Sequence, residues 1–335
     1  MSCGCIDVHT HIVPAEFPRY VGSGLNVPWP STQAVDACHR HVLISGKHYR
    51  TINDGAWSAA RRMASMADMG IERQVLSPMP ELLSYWLPTA DAKVLIRYIN
   101  EQIAEMVAAG NGSFTGFGGV PLQDVDAAID ELEYAHGALQ FRGIEIASHV
   151  NGVSIGDPRF VPFFERATEL GMAIFVHALR PVGKERIVGA FAEQVVCFPG
   201  DIALAAASMI TGGTARQCPD LRIAFSHGGG AFAMLLPRLV QAWKGIPAAH
   251  ESLPESPSAY ARKFFFDSLV FSPGALRFLV ETVGDTQVFV GSDFPFGMSD
   301  KDPVGSLRAA GFDDRTTQRL MRENAIQYLK LETTP

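Results

Sequence analysis

The 335-residue sequence has few cysteines, little charge and no long apolar run. The length and apolar content exclude a disulfide-stapled miniprotein. The five cysteines are an odd number and form no Cys-x-x-Cys pair, which is more typical of a reducing compartment than of a disulfide framework. No apolar run approaches the roughly 18 residues that a transmembrane helix needs, and the first residues lack the basic and apolar regions of a secretory signal. We therefore predict a cytoplasmic protein with no membrane partner.

Basic residues are also scarce. Lys and Arg number 28 against 35 Asp and Glu, so the formal net charge is −7, and no basic cluster occurs. This balance argues against nucleic acid as a partner. No Gly-x-Gly-x-x-Gly turn follows a strand, so we expect no flavin, nicotinamide or pyridoxal site. What the chain does have is a 47% apolar content, which is typical of a protein that buries a large core.

Short apolar stretches alternate with longer amphipathic ones along the chain. Eight of the short stretches are rich in Val, Ile and Phe, as buried parallel strands are: 4–8, 73–77, 114–120, 143–148, 172–177, 221–226, 263–269 and 287–291. Apolar residues spaced by three or four predict helices at 92–109, 124–138, 159–170, 202–217, 231–243, 273–283 and 315–331. Asp124 is suited to cap the second of these helices. The pattern predicts a (β/α)8 TIM barrel.

The end of the first strand decides between the barrel and an open, doubly wound sheet. A doubly wound sheet would place a Gly-rich phosphate turn there, whereas this strand ends in His9-Thr10-His11. We therefore predict one barrel domain over residues 1–335. Residues 17–51 fit no helix and include a β-like patch at 41–45. We predict that they form a small insert after strand 1, over the C-terminal mouth where long loops commonly contact substrate.

The strongest chemical signal is the pair His9 and His11. Residues two apart in a strand face the same side, so both imidazoles point into the barrel, as a zinc site requires. The alternative is a solvated histidine pair near a turn. His39 and His41 have the same spacing but lie in the insert, and we interpret them as surface residues.

Three further polar residues follow predicted strands. His177 ends strand 5, His227 ends strand 6 and Asp293 ends strand 8. A buried carboxylate is costly unless a metal or another cation pairs with it, so Asp293 is a candidate ligand. The three glycines at 228–230 let a ligand approach the backbone closely and lead into a helix N-terminus, which favours an anion.

This constellation resembles the amidohydrolase superfamily, and more narrowly its branch of 2-amino-3-carboxymuconate 6-semialdehyde decarboxylases. The resemblance is carried by five stretches: IDVHTHIVP, VPLQDVDAAIDEL, HGGGAFAMLLPRLVQAW, FFFDSLVFSPGAL and GSDFPFG. HGGGAF together with GSDFPF is specific for the branch, whereas His-x-His alone is not.

The resemblance implies one divalent metal ion, zinc with manganese as the alternative, and a small carboxylate as the substrate. The ligands it implies are His9, His11, His177 and Asp293. It assigns His227 as the acid/base group beside the metal-bound water, helped by Asp293. The expected activity is non-oxidative decarboxylation of an unsaturated or aromatic carboxylic acid. A hydrolase or hydratase using the same site is the runner-up, and a barrel in which the metal is only structural is the non-catalytic alternative.

The resemblance also implies how the carboxylate is held. Arg50 and Arg238 match its carboxylate-binding arginines, with Lys47 close to the first and Arg238 reaching across a homodimer interface. Phe296 of the final motif is expected in the substrate site.

The sequence departs from the branch at two places, and it lacks a lysine that binuclear relatives carry. After His177, Ala178-Leu179-Arg180-Pro181 stands where Pro-Trp is usual, which makes Arg180 a candidate anion contact. Phe294 occupies the place of a usual Tyr. Ser148 and His149 lie at the end of strand 4, where binuclear relatives carry a lysine, which favours a single metal.

Overall fold

The computed structural model describes residues 4–22, 24, 27–189 and 192–332. The strands in this part of the chain are β1 Cys5–Asp7, β2 His11–Ile12, β3 Pro30–Ala34, β4 His39–Ile44, β5 Lys47–Asn53, β6 Ile71–Pro78, β7 Phe114–Gly118, β8 Gly143–Ala147, β9 His149–Val150, β10 Val153–Ser154, β11 Ala173–His177, β12 Ile223–Phe225, β13 Phe265–Asp267 and β14 Val288–Phe289.

Thirteen helices lie between and after the strands in the described part of the chain. They are α1 Ala59–Asp68, α2 Thr89–Ala109, α3 Val125–Gly137, α4 Val161–Glu169, α5 Phe198–Thr211, α6 Thr214–Gln217, α7 Phe232–Gly245, α8 Pro247–Ser252, α9 Pro257–Ala261, α10 Pro273–Val283, α11 Pro303–Ala309, α12 Asp314–Gln318 and α13 Asn324–Leu329. Single π-helical turns precede α5 and α13.

Eight parallel strands follow one another in the order β1-β6-β7-β8-β11-β12-β13-β14. The ring is completed where the N–H of Val8 donates to the carbonyl of Val290 over 2.9 Å, beside a parallel bridge between Asp7 and Val290. Helices alternate with these strands, so the predicted (β/α)8 barrel is confirmed, and each predicted strand overlaps an observed one.

Aromatic side chains fill the N-terminal end of the barrel. Phe117, Phe175 and Phe289 are fully buried there with Tyr328 of α13, whose hydroxyl donates to the carbonyl of Ile174 over 2.8 Å. Strands whose two faces are both covered are apolar throughout, which explains their Val- and Phe-rich sequences. This apolar packing leaves the C-terminal end as the open end of the barrel, where active sites of such barrels lie.

Helix boundaries follow local sequence signals. Asp124 caps α3 by accepting from the N–H of Ala127 over 3.1 Å, as predicted. Helix α10 has the bounds that the sequence predicts. The stretch predicted as one helix over 202–217 is divided by Gly212 and Gly213, and Gly213 has a φ of 86° that a helix cannot accommodate.

The insert after strand 1 forms a three-stranded antiparallel sheet, β3-β4-β5. The sequence indicated only the patch at 41–45, which overlaps β4. The flanking strands are rich in polar residues and largely exposed. They therefore lack the alternation of apolar and polar residues from which a strand is predicted. Three residues of β5, Tyr49, Arg50 and Thr51, line the large cavity at the barrel mouth.

The helical stretch Glu193–Thr211 meets the length and hydropathy criteria for crossing a membrane, with a mean hydropathy of 1.4. Core helices of globular proteins meet the same criteria. Ile202, Ala206 and Ile210 on this helix are buried in the main hydrophobic core. Its apolar composition therefore reflects packing on the barrel.

Candidate metal centre

His9 and His11 lie at the C-terminal end of the barrel, on either side of a bridge between Thr10 and Phe294. Both side chains are fully buried, and their Nε2 atoms are 3.1 Å apart. His177 is the last residue of β11, and Asp293 follows β14. The structure brings all four residues together, with one donor atom from each lying within 4.8 Å of the others.

Each histidine is held by its second ring nitrogen. Nδ1 of His9 lies 2.6 Å from Oδ2 of Asp267. Nδ1 of His11 lies 2.9 Å from the carbonyl of Pro78, and Nδ1 of His177 lies 2.8 Å from the carbonyl of Ala178. Because Nδ1 donates in each case, Nε2 is the nitrogen of each ring that is left to bind a metal, which is the arrangement that second-sphere partners impose on metal-binding histidines.

The residues present fit a divalent cation. Nε2 of His177 and Oδ1 of Asp293 are buried without a hydrogen-bond partner, which is costly unless something else satisfies them. Three imidazole nitrogens and one carboxylate oxygen form a donor set suited to zinc and also to manganese. A metal would satisfy both orphaned atoms at once.

The two carboxylates beside His9 determine its electrostatics. Burial alone would lower the pKa of His9, but Asp267 and Asp293 outweigh it and raise that pKa to about 10. Burial alone would raise the pKa of Asp293, but the neighbouring rings of His11 and His9 hold it well below its usual value. The centre therefore favours positive charge at the point where the four donors meet.

His227 lies beside this quartet but does not belong to it. Its ring centroid is 4.9 Å from that of His177 and 5.4 Å from that of His9, and the side chain lines the cavity. Burial and then the charge of His9 lower the pKa of His227 to about 4, so its ring is neutral at pH 7. His227 and Asp293 both have left-handed backbones, with φ of 55° and 64°. Such strain in non-glycine residues is typical of functional sites.

Asp267 is a site residue that the sequence analysis missed. It is fully buried at the end of β13, where it also accepts from the N–H groups of His227 over 2.9 Å and Gly228 over 2.7 Å. One carboxylate therefore positions both a candidate ligand and the turn that carries His227. The signal that could have found it is an acidic residue directly after the apolar run Phe264-Phe265-Phe266.

The expectation that the glycine turn favours an anion is corrected by its hydrogen bonds. The N–H of Gly228 donates to Asp267, that of Gly229 to the carbonyl of Ser226, and that of Gly230 to the carbonyl of His227. These donors are satisfied within the protein and are not available to a ligand.

Two further buried ionic residues support the His9-Thr10-His11 segment. Glu145 of β8 accepts from the hydroxyl of Ser77, and its Oε2 lies 3.4 Å from Nδ1 of His11. Arg62 of α1 donates to the carbonyl of His11 and, over 3.0 Å, to the hydroxyl of Thr10. A single acidic residue within the apolar strand β8 was the signal for Glu145, whereas nothing in the helical pattern of α1 indicates Arg62.

A cavity of about 750 Å³ opens over the centre and reaches His177, His227 and Asp293. Phe296 lines it and stacks on His11, with ring centroids 5.2 Å apart. The guanidinium of Arg50 also lines it, 4.0 Å from the centroid of the Phe296 ring. Among the described residues Arg50 has no carboxylate partner, so its charge is available to a ligand.

The other predicted substrate residues are not part of the cavity lining. Lys47 is exposed at the start of β5, and Arg238 is exposed on α7. Arg180 donates to Glu81, from Nε over 2.9 Å and from Nη2 over 2.5 Å. Within the described part of the chain, none of the three lines the cavity.

The fold and the four converging donors define a metal-binding (β/α)8 barrel. A family model described as Amidohydrolase matches residues 6–331. The chain belongs to the amidohydrolase family, which confirms the resemblance found in the sequence.

Relatives agree with this assignment. The chain is 34% identical over 331 residues to a 2-amino-3-carboxymuconate-6-semialdehyde decarboxylase of Dictyostelium discoideum, covering 98% of this chain and 92% of the relative. The crystal structure of apo IDCase from Metarhizium anisopliae superposes with a TM-score of 0.81 at 18% identity, covering 98% and 97%. A 5-carboxyvanillate decarboxylase from Novosphingobium aromaticivorans, complexed with manganese and 4-hydroxy-3-methoxy-5-nitrobenzoic acid, has a TM-score of 0.73 at 23% identity, covering 81% and 80%.

Proposed function

We propose that this protein is a metal-dependent, non-oxidative decarboxylase of an unsaturated or aromatic carboxylic acid. The observation that carries the proposal is the convergence of His9, His11, His177 and Asp293 beneath an open cavity, with His227 beside them. The near full-length identity to a decarboxylase supports the same chemistry.

The four converging residues would hold one divalent ion, and zinc is the metal we propose because three imidazoles and one carboxylate are a common zinc donor set. When bound, such an ion acts as a Lewis acid and lowers the pKa of a coordinated water toward about 7. Manganese is the alternative, since a structural neighbour binds it.

Substrate binding and proton transfer are assigned to three residues that line the cavity. Arg50 holds a carboxylate of the substrate, for which a guanidinium is suited because it donates two parallel hydrogen bonds. Phe296 packs against the ring or conjugated chain. The bond between the substrate carbon and its carboxylate breaks, carbon dioxide leaves, and the electron pair stays on the carbon. His227 delivers a proton to that carbon and regains one from solvent water, which reaches it through the open cavity.

We also propose that the enzyme works as a homodimer in the cytoplasm. Arg238 is exposed on α7 and is not among the described residues that line the cavity, and it lies beside Met234 and Leu235, which are 70% and 39% exposed. A second copy packed on this face would place Arg238 at the dimer interface, where it would bind the carboxylate of the substrate held by the partner subunit. The free state of Cys5, Cys38, Cys197 and Cys218 supports a reducing compartment. Analytical ultracentrifugation tests the dimer, which a monomer at micromolar concentration would contradict.

The test of function is an assay of the metal-loaded protein on carboxylated aromatics and muconate semialdehydes. We expect release of carbon dioxide in step with loss of the substrate absorbance, and a product one carboxyl group smaller by mass spectrometry. Ring or ester opening without gas release would identify a hydrolase or hydratase instead.

A further inference from the structure

Glu81 places a carboxylate on the wall of the cavity. It lies in the turn Pro80–Leu83 after β6, and its side chain is 6% exposed. Glu81 is a lining residue, whereas its partner Arg180 is not. The acidic member of this ion pair therefore faces the cavity, which reverses the sequence-based expectation that Arg180 would present a cation there.

The pair is held rigidly. Both donated hydrogen bonds from Arg180 go to Oε1 of Glu81. The guanidinium stacks 3.2 Å from the ring centroid of Trp86, and the backbone of Arg180 is fixed in a left-handed conformation with φ of 47°. Its carbonyl lies 3.1 Å from Nε2 of His149. Oε2 of Glu81 makes no hydrogen bond to any described residue, so an acceptor remains free on the wall.

Arg50 provides the opposite charge in the same cavity. Its guanidinium is fixed over the ring of Phe296 and is not paired with a described carboxylate. A ligand thus meets one group that only donates and another that, as a carboxylate, only accepts. Much of the remaining lining is apolar, including Met79, Leu179 and Phe271.

We infer that Glu81 is a specificity-determining residue, which selects a carboxylated ring bearing a hydroxyl or amino donor and rejects a ring bearing a second carboxylate. A site built to bond a substrate O–H or N–H rejects the analogue that lacks it, because the buried acceptor is left unpaired. A second carboxylate at this position would face Glu81 with like charge. The inference rests on the proposed function, since it names the substrate class of that site.

The experiment measures binding by isothermal titration calorimetry on the metal-loaded protein with four probes: benzoate, 3-hydroxybenzoate, 3-aminobenzoate and isophthalate. For the unaltered protein we expect the hydroxy and amino compounds to bind about tenfold more tightly than benzoate, with isophthalate weakest. Glu81→Gln should bring isophthalate to at least the affinity of benzoate, because an amide can donate to a carboxylate. Glu81→Leu should abolish the preference for the donor-bearing probes.

A matched control is Glu133→Gln, which removes the charge of another arginine-paired glutamate, 2.8 Å from Arg166 on the outer helices. It should leave the order of the four probes unchanged. Thermal unfolding monitors whether each variant folds, and Glu81→Gln and Glu81→Leu test the inference independently of each other.

The inference is overturned if a folded Glu81 variant keeps the original order, or if the unaltered protein binds isophthalate as tightly as 3-hydroxybenzoate or binds none of the probes. Binding is measured apart from turnover. A protein that shows the expected order but releases no carbon dioxide would therefore contradict the proposed function and retain the role of Glu81.

Discussion

Nδ1 of His9 lies 2.6 Å from Oδ2 of Asp267, although 258 residues separate the two in the chain. The same carboxylate accepts from the backbone of His227 and Gly228. The candidate metal centre and the candidate acid/base residue are therefore positioned by one buried side chain, and substitutions there should affect both.

Replacing Asp267 with Asn should weaken metal binding by about 10- to 100-fold, the usual effect of losing such a partner of a metal-bound histidine. The Asn side chain can still accept a hydrogen bond from His9, but it lacks the negative charge that makes the His9 ring a stronger metal ligand. Metal content after dialysis against a competing chelator measures the effect. Asp130→Asn, which removes an exposed carboxylate paired with Lys93, is the control and should retain the metal. Equal metal retention by both variants would contradict the role of Asp267.

His177 and His227 should separate metal binding from turnover. His177→Ala removes a nitrogen donor of the quartet and should lose most of the metal. His227→Ala should keep the metal but lose about 10²- to 10⁴-fold in turnover, because only the proton-transfer group is gone. Elemental analysis and kcat measured together test this. Near-normal turnover in His227→Ala would show that the acid/base assignment is wrong, and His39→Ala, in the exposed insert, should change neither quantity.

Arg50→Gln should raise KM about 10- to 100-fold, since a charge-assisted contact to the substrate carboxylate is lost. Lys47→Gln is the matched control, because Lys47 lies three residues away on β5 and outside the cavity lining. Steady-state kinetics on the best substrate from the panel measure both variants. If Lys47→Gln and Arg50→Gln have the same KM, the carboxylate is held elsewhere.

Removing the metal with a chelator should abolish activity and leave the barrel folded. The large core at the centre and N-terminal end of the barrel does not depend on the quartet, so the far-ultraviolet circular dichroism spectrum should persist, with a lower melting temperature because a stabilising ligand is lost. Zinc or manganese should restore activity. Unfolding on metal removal would instead support the structural role.

Gly230→Ala should destabilise the protein by at least about 2 kcal/mol. The backbone of Gly230 has a φ of 57°, and a Cβ there would overlap the backbone of Pro199. Gly137→Ala is the contrasting change, because a Cβ at this helical position meets nothing within 4 Å. It should be neutral or stabilise by up to about 1 kcal/mol. Urea unfolding measures both, and equal midpoints would refute the steric argument.

The sequence by itself determined the barrel and the first two candidate ligands. Eight apolar stretches of strand length and the spacing of His9 and His11 are local properties, and a strand places residues two apart on one side. The cap at Asp124 and the bounds of α10 were equally local. Their positions after predicted strands also made His177 and Asp293 candidate ligands and singled out His227, and the resemblance then assigned a role to each of the three.

The tertiary structure alone decided which charges face the cavity. The sequence predicts Arg180 as a cation available to a substrate. In the structure the turn after β6 pairs Glu81 with Arg180, and it is Glu81 that lines the cavity. Asp267 meets His9 only because the ring of strands closes. The spacing of apolar residues and the composition of a segment indicate which of its faces is buried. Ion pairs between segments depend instead on which strands become neighbours in the fold, and the sequence of a single segment does not specify its neighbours.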